Sequence, residues 1–245
     1  MAGHSKWANI KHRKARQDAK RGAVFTKIIR ELTVAAKEGG GIIEDNPRLR
    51  LAYDKALSAN MTKDTINRAI QRGAGGQEGQ NLEEVLYEGY APGGVAVLVK
   101  TLIDNKNRTV SEVRHAFSKY GGNLGTSGSV AYLFEAKGKM LVDASIENES
   151  LYELAIENGA EDIEQVNDAK LEIVCSPKEL SNLKNLLEES NFKIEVSEVV
   201  MEAENSISLD AEQSEKNIKL TDALEDLDDV QEVFTNAELD DSVFE

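Results

Sequence analysis

Nine lysines and arginines fall within the first 30 residues: Lys6, Lys11, Arg13, Lys14, Arg16, Lys20, Arg21, Lys27 and Arg30. They stand against one acid, Asp18. Nine bases less one acid make this segment +8, in a 245-residue chain whose net charge is -15, so the other 215 residues sum to -23. Such asymmetry points to a polyanionic partner, and nucleic acid is the usual one. A basic surface gathers phosphates through its long-range field, while the acidic remainder repels them, so binding is oriented with this end leading. Trp7 and His12 lie among the bases, where they could stack on unpaired nucleobases for about 1–3 kcal/mol each. The plain alternative is a solvated helix face with Trp7 packed on its neighbours. Positive charge continues at Arg48, Arg50, Lys55, Lys63, Arg68 and Arg72, against Asp54 and Asp64. Arg68 and Arg72 are one helical turn apart and share a face. The candidate nucleic-acid-binding set is therefore Lys6, Trp7, Lys11, Arg13, Lys14, Arg16, Lys20, Arg21, Lys27, Arg30, Arg68 and Arg72.

Other residue patterns that could do chemistry are weaker. Gly122 to Gly128 spells GxxGxxG. A phosphate cradle of that kind needs a strand, a glycine turn and then a helix N-terminus. Here the order is helix, turn, strand, so a helix cap and tight turn is the reading. No GxxxxGK[ST] string occurs. His4, His12 and His115 are the only histidines, none in HExxH or beside a cysteine pair, and no metal site is expected. The acidic run Glu225-Asp226-Leu227-Asp228-Asp229 has the ligands for Mg²⁺ but no nucleophilic or basic partner spaced near it, which favours a surface charge run. Ser127, Ser129 and Cys175 lack a nucleophile-elbow context. No enzyme, cofactor or small-molecule substrate is indicated.

Composition sets the frame for these residues. The chain is 40% hydrophobic, 30% charged and only 5% aromatic, so its cores must be aliphatic. Its length suits two or three domains. No run of about 18 apolar residues exists to span a membrane. The basic start lacks the apolar core of a secretory signal. A mitochondrial transit peptide shares its charge, but this segment runs straight into a patterned helix without a Ser-rich leader. One cysteine, Cys175, excludes an intramolecular disulfide, fits a reducing compartment and reads as a small core hydrophobe. A cytoplasmic location is the expectation.

The periodicity predicts a helical region over residues 1–75. Val24, Phe25, Ile28, Ile29, Leu32, Ala35 and Ala36 form one stripe, closed by Gly39, Gly40 and Gly41. Asn46-Pro47 reads as a cap and first helical residue, followed by Leu49, Ala52, Tyr53 and Ala56. Thr62 caps a third helix with Met61 and Ile66 as a hydrophobic staple, ending at Gly73. No helix-turn-helix signature stands out, and the bases are spread as for backbone contact. Past the linker at residues 73–80 the pattern changes to β-β-α-β. Val95 to Val99 is a strand buried on both faces, Thr109 and Glu112 form a capping box, and Val130 to Phe134 is a further strand. From Lys139 a β-α-β-β-α-β order follows, the ferredoxin-like arrangement, with Pro177 starting its second helix and Lys193 to Val200 closing it. The stretch from Asp222 onward has ten acids and no base. Leu224, Leu227, Val230, Val233 and Phe234 predict a helix and an edge strand there, which could complete the interrupted β-β-α-β unit and make the ferredoxin-like unit an insertion.

Long strings carry a resemblance. MAGHSKWANIKHRKARQDAKRG (residues 1–22), FTKIIRELTVAAKEGGG (25–41), NPRLRLAYDKA (46–56), YEGYAPGGVAVLV (87–99) and NRTVSEVRHAFSKYGGNLGTSGSVAYLF (107–134) are similar to the YebC family. The resemblance runs through the tail and is strongest before residue 140. Ala23, where the family more often has Lys, lightens the basic patch, and Ala203 stands where Pro is frequent. The resemblance implies an α+β, three-domain monomer. Residues 1–75 would be a basic helical domain, 81–136 plus 205–245 a discontinuous α/β domain, and 138–204 an inserted ferredoxin-like domain. It also implies no catalysis and no cofactor. Members are described as DNA-binding transcriptional regulators, mitochondrial ones resemble translational activators, and bacterial ones have been tied to ribosomes stalled on proline-rich stretches. The expected function is nucleic-acid-binding regulation, with DNA and transcription first and ribosomal RNA and translation as the rival, and with neither a membrane nor a small-molecule substrate as partner.

Overall fold

Ile28, Leu32, Ala35 and Ala36 recur every three or four residues and are buried along one side of α1 (Arg21–Gly39). The computed structural model describes residues 21–75, 82–144 and 148–244, a mixture of helices and antiparallel sheets, as the α+β expectation required. The described residues group into two units, one drawn from residues 21–133 and 205–243, the other from residues 134–204.

In the first unit, α2 (Pro47–Ser58) and α3 (Lys63–Ala74) both pack on α1. Asn46 caps α2, its side chain accepting from Leu49 N, while its amide donates to the carbonyls of Ala35 and Gly40. Thr62 caps α3 through Thr65 N, with Met61 and Ile66 buried as the expected staple. α3 does not stop at Gly73 but runs to Ala74. Gly73 is there for close approach: a Cβ at this position would lie 2.2 Å from the Thr33 carbonyl oxygen of α1.

β1 (Glu83–Ala91) and β2 (Val95–Ile103) form a hairpin, and α4 (Lys106–Lys119) leads to the short β3 (Asn123–Leu124). Val95 to Val99 are buried without alternation, as expected of a strand covered on both faces. The capping box expected at Thr109 and Glu112 is replaced by a cap one turn earlier, where Asn105 accepts from Arg108 N. Thr109 instead lies inside α4 with its hydroxyl turned to a buried carboxylate. The strand expected over Val130 to Phe134 is a 3-10 turn at Ala131–Leu133, and only Phe134 opens a strand. The reason is Glu88 on β1, only 4% exposed. Its carboxylate accepts from the backbone amides of Gly128, Val130 and Ala131 at 2.6–2.7 Å. Those amides are curled around one side chain and cannot pair along a strand.

The second unit runs β4 (Phe134–Asp143), α5 (Glu149–Glu157), β5 (Ala160–Asn167), β6 (Lys170–Cys175), α6 (Leu180–Glu189) and β7 (Lys193–Ala203). Its sheet order is β5-β6-β4-β7, antiparallel throughout, the ferredoxin-like order. Pro177 precedes α6 by a turn of its own rather than starting it. Lys139 on β4 is buried between Glu172 at 2.7 Å and Glu202. Burial alone would lower its pKa, but the two carboxylates outweigh that and raise it.

The chain then returns to the first unit through β8 (Ile207–Ser208), α7 (Ala211–Glu225), β9 (Val230–Thr235) and β10 (Ala237–Glu238). α7 begins well before Asp222, at the capping box of Asp210 and Gln213. β9 is the edge strand the acidic tail predicted, pairing with β2 in the order β3-β1-β2-β9. Phe117 and Val113 of α4 and Leu220 and Leu224 of α7 share one core with Val97 and Val99.

Candidate nucleic-acid interface

Lys6, Trp7, Lys11, Arg13, Lys14, Arg16 and Lys20 lie outside the described residues. Arg21 is the first residue of α1. The described candidates that remain, Lys27, Arg30, Arg68 and Arg72, fall into two environments of opposite kind.

Lys27 and Arg30 face inward. Lys27 donates to the Glu225 carbonyl at 2.5 Å. Arg30 donates to Asp229 Oδ1 at 2.7 Å and to the Asp228 carbonyl at 2.9 Å. Asp229 is 1% exposed and sits at the start of β9. Arg108 of α4 meets its Oδ2 at 2.7 Å, and the Thr109 hydroxyl donates to the same oxygen at 2.5 Å. Burial would raise this carboxyl's pKa; the hydrogen bonds from Thr109, Arg108 and Arg30 outweigh it and hold the group below the usual carboxylate range. The acidic run at 225–229 is thereby explained: its last residue is the counter-ion that ties α1 and α4 to β9. Among the described residues no group of His, Cys, Asp and Glu is arranged to hold a metal. Asp229 and Arg108 carried no signal in the sequence, because a buried carboxylate and a surface acid look alike until the partners are brought together.

Arg68 and Arg72 face outward. α3 buries Ile66, Ala69, Ile70 and Gly73 and exposes Lys63, Asp64, Asn67, Arg68, Gln71 and Arg72. This helix shows the shared face expected of Arg68 and Arg72. Arg68 pairs with Asp64 at 2.7 Å, both about three-quarters exposed, which is worth a few tenths of a kcal/mol on a helix surface. Asn67 and Gln71 complete the face. Their i,i+4 spacing beside two arginines was the available signal, and neither was among the expected residues.

The other bases of this region are engaged within the unit. Arg48 bridges Glu31, Glu38 and Glu84. Arg50 donates to the Glu44 carbonyl, and Lys55 lies 3.5 Å from Glu232. Within the helical region the outer face of α3 is thus a described basic surface with little commitment to acids elsewhere in the unit. The GxxGxxG stretch wraps Glu88 and offers no helix N-terminus to a phosphate. Cys175 is buried on β6, and burial pushes its thiol up to about 11, far from a reactive thiolate.

Comparison with known proteins agrees with this architecture. The TACO1/YebC protein N-terminal domain matches residues 5–76, and the TACO1/YebC second and third domain matches residues 82–237. A probable transcriptional regulatory protein of Pseudomonas syringae pv. syringae (strain B728a) is 57% identical over 245 residues, covering 100% of this chain and 99% of the relative. The transcriptional regulatory protein PmpR of Pseudomonas aeruginosa PAO1 is 55% identical over 243 residues, 99% of this chain and 98% of that protein. The crystal structure of a conserved hypothetical protein, Aq1575 from Aquifex aeolicus, superposes with a TM-score of 0.81 at 50% identity, covering 91% of this chain and 92% of that one.

Proposed function

We propose that this chain, which belongs to the TACO1/YebC family, is a non-enzymatic regulator of transcription that binds DNA. Its basic opening segment and the outer face of α3 make the contact. The observation that carries this reading is the charge division: nine bases and one acid in the first 30 residues of a chain with net charge -15. Lys and Arg spread along a segment contact phosphates and fix orientation, releasing counterions as they bind. Lys27 and Arg30 serve this surface indirectly, by fixing α1 against β9; the phosphate contacts fall to Lys6 through Arg21, while Arg68 and Arg72 face the DNA from α3. The names of the relatives as transcriptional regulatory proteins support the choice of target.

Trp7 and His12 favour a second reading. Aromatic rings among bases suit stacking on unpaired nucleobases, and thus a ribosomal RNA or messenger target in translation. Crosslinking the protein in cells and sequencing the recovered nucleic acid separates the two. Enriched promoter DNA supports the transcriptional role, and ribosomal RNA without enriched promoter DNA overturns it. Replacing Lys11, Arg13, Lys14 and Arg16 together by Gln is expected to lower the salt slope of binding by about four. An unchanged slope places the phosphate contacts elsewhere.

A further inference from the structure

We infer that α2, its connection and α3 form a helix-turn-helix, and that the outer face of α3 reads base edges in the major groove of duplex DNA. Asn67 and Gln71 would read adenine, and Arg68 and Arg72 guanine. The inference rests on the DNA-binding role proposed above and assigns the part of the chain that confers sequence preference.

Two 12-residue helices are joined by only four residues, Ala59 to Thr62, the length that connects the helices of such a motif. Asn60 takes the left-handed conformation, with φ of 60°. Asn60 N donates to the Leu57 carbonyl at 2.9 Å, and Met61 N donates to the Ala56 carbonyl at 3.0 Å. These bonds end α2 in a closed turn. Met61 then drops into the core, 4% exposed, and Thr62 starts α3 at once. The motif gives no sign in the sequence because an asparagine, not the usual glycine, occupies the left-handed position.

The second helix has the two faces the role demands. Its inner face is held on α1 by Ile66, Ala69 and Ile70, at a separation that admits only Gly73. Its outer face presents amides at Asn67 and Gln71 and guanidiniums at Arg68 and Arg72. These are the side chains whose paired hydrogen-bonding atoms match adenine N6/N7 and guanine O6/N7. A face kept only for solubility would alternate acids and lysines; this one has a single acid, Asp64, and that acid lies along Arg68. Lys63 at the start of the helix is placed for a phosphate. Twelve residues make a rod about 18 Å long, which the major groove admits.

The full-length protein is first used to select duplexes from a random DNA pool, with an RNA pool in parallel. Binding to the selected duplex and to a scrambled one is then measured across salt concentrations. A selected duplex should bind at least tenfold tighter than the scrambled one. N67A combined with Q71A should cut that preference about tenfold or more, leaving the scrambled duplex's affinity and salt slope unchanged. Lys63→Gln should reduce the slope by about one and leave the preference intact. All three positions are exposed on a helix, and an unchanged melting curve confirms the fold. Absence of any enriched duplex, or a preference that survives the double substitution, overturns base reading by α3 while leaving non-specific binding in place. Failure to bind any duplex, or enrichment from the RNA pool alone, overturns the DNA-binding role itself.

Discussion

Arg30 and Arg68 are both arginines on basic helices of one bundle, and they do opposite work. Arg30 shares a carboxylate that is 1% exposed with Arg108 and Thr109. Among the described residues Arg68 meets only Asp64, and both side chains stand in water. Charge counting alone places the two in one patch. The structure divides them by the burial of their partner, since an ion pair in the interior is costly to break and one at the surface is worth little. The lesson is that a basic segment has to be discounted for the bases the fold uses itself before the remainder is offered to a ligand.

The largest effect expected from this division is at Asp229. Asp229→Asn leaves Arg30 and Arg108 facing a neutral amide, at a cost on the order of 3 kcal/mol and a melting temperature lower by roughly 6–12 °C. Because the folded carboxyl has a depressed pKa, its contribution is fully present above the unfolded value near 4 and is lost as pH falls. The gap between wild type and variant should therefore close in acid. A variant that melts with wild type at pH 7 would show that the buried network holds nothing together.

Gly73→Ala comes next. Its methyl would sit 2.2 Å from the Thr33 carbonyl, so α3 must move off α1, at about 1–3 kcal/mol. The comparison sharpens if nucleic-acid binding also weakens, since the outer face of α3 is held in place by its inner one. Glu88→Gln follows. The amide puts an N–H₂ where backbone donors converge, at roughly 1–2 kcal/mol, and faster hydrogen exchange at Gly128, Val130 and Ala131 is the readout. Burial raises the Glu88 pKa, but the backbone amides outweigh it and lower it, so this clamp also loosens as pH falls.

The sequence makes local structure plain at several places where local chemistry decides it. Asn46-Pro47, Thr62 with its staple, and the unbroken apolar run at Val95 to Val99 all act within a few residues of themselves, and all are legible in the sequence. It misled where a distant partner decided. Thr109 looks like a cap, but Asn105 caps the helix and Thr109 serves Asp229, 120 residues away. Val130 to Leu133 is apolar enough for a strand, but its backbone is recruited by Glu88, some 40 residues earlier. The candidate interface follows the same rule. The shared face of Arg68 and Arg72 is helix arithmetic and was legible, whereas the inward turn of Lys27 and Arg30 depends on β9, on the far side of an entire inserted sheet in the chain.

Replacing Arg68 and Arg72 together by Gln should have the smallest effect on the fold and the cleanest effect on binding. Both are exposed, so the melting curve should shift by no more than about 0.5 kcal/mol. Two fewer phosphate- or base-facing charges should reduce the salt slope by about two, with affinity falling most at low salt. Arg30→Gln should do the reverse, lowering stability measurably while leaving the slope within error until the protein unfolds. Crossing these two variants against stability and salt dependence gives four numbers, and the division predicts which two are large. If Arg30→Gln lowers the slope as much as the α3 pair does in a protein that still melts normally, the inward and outward arginines belong to one surface after all.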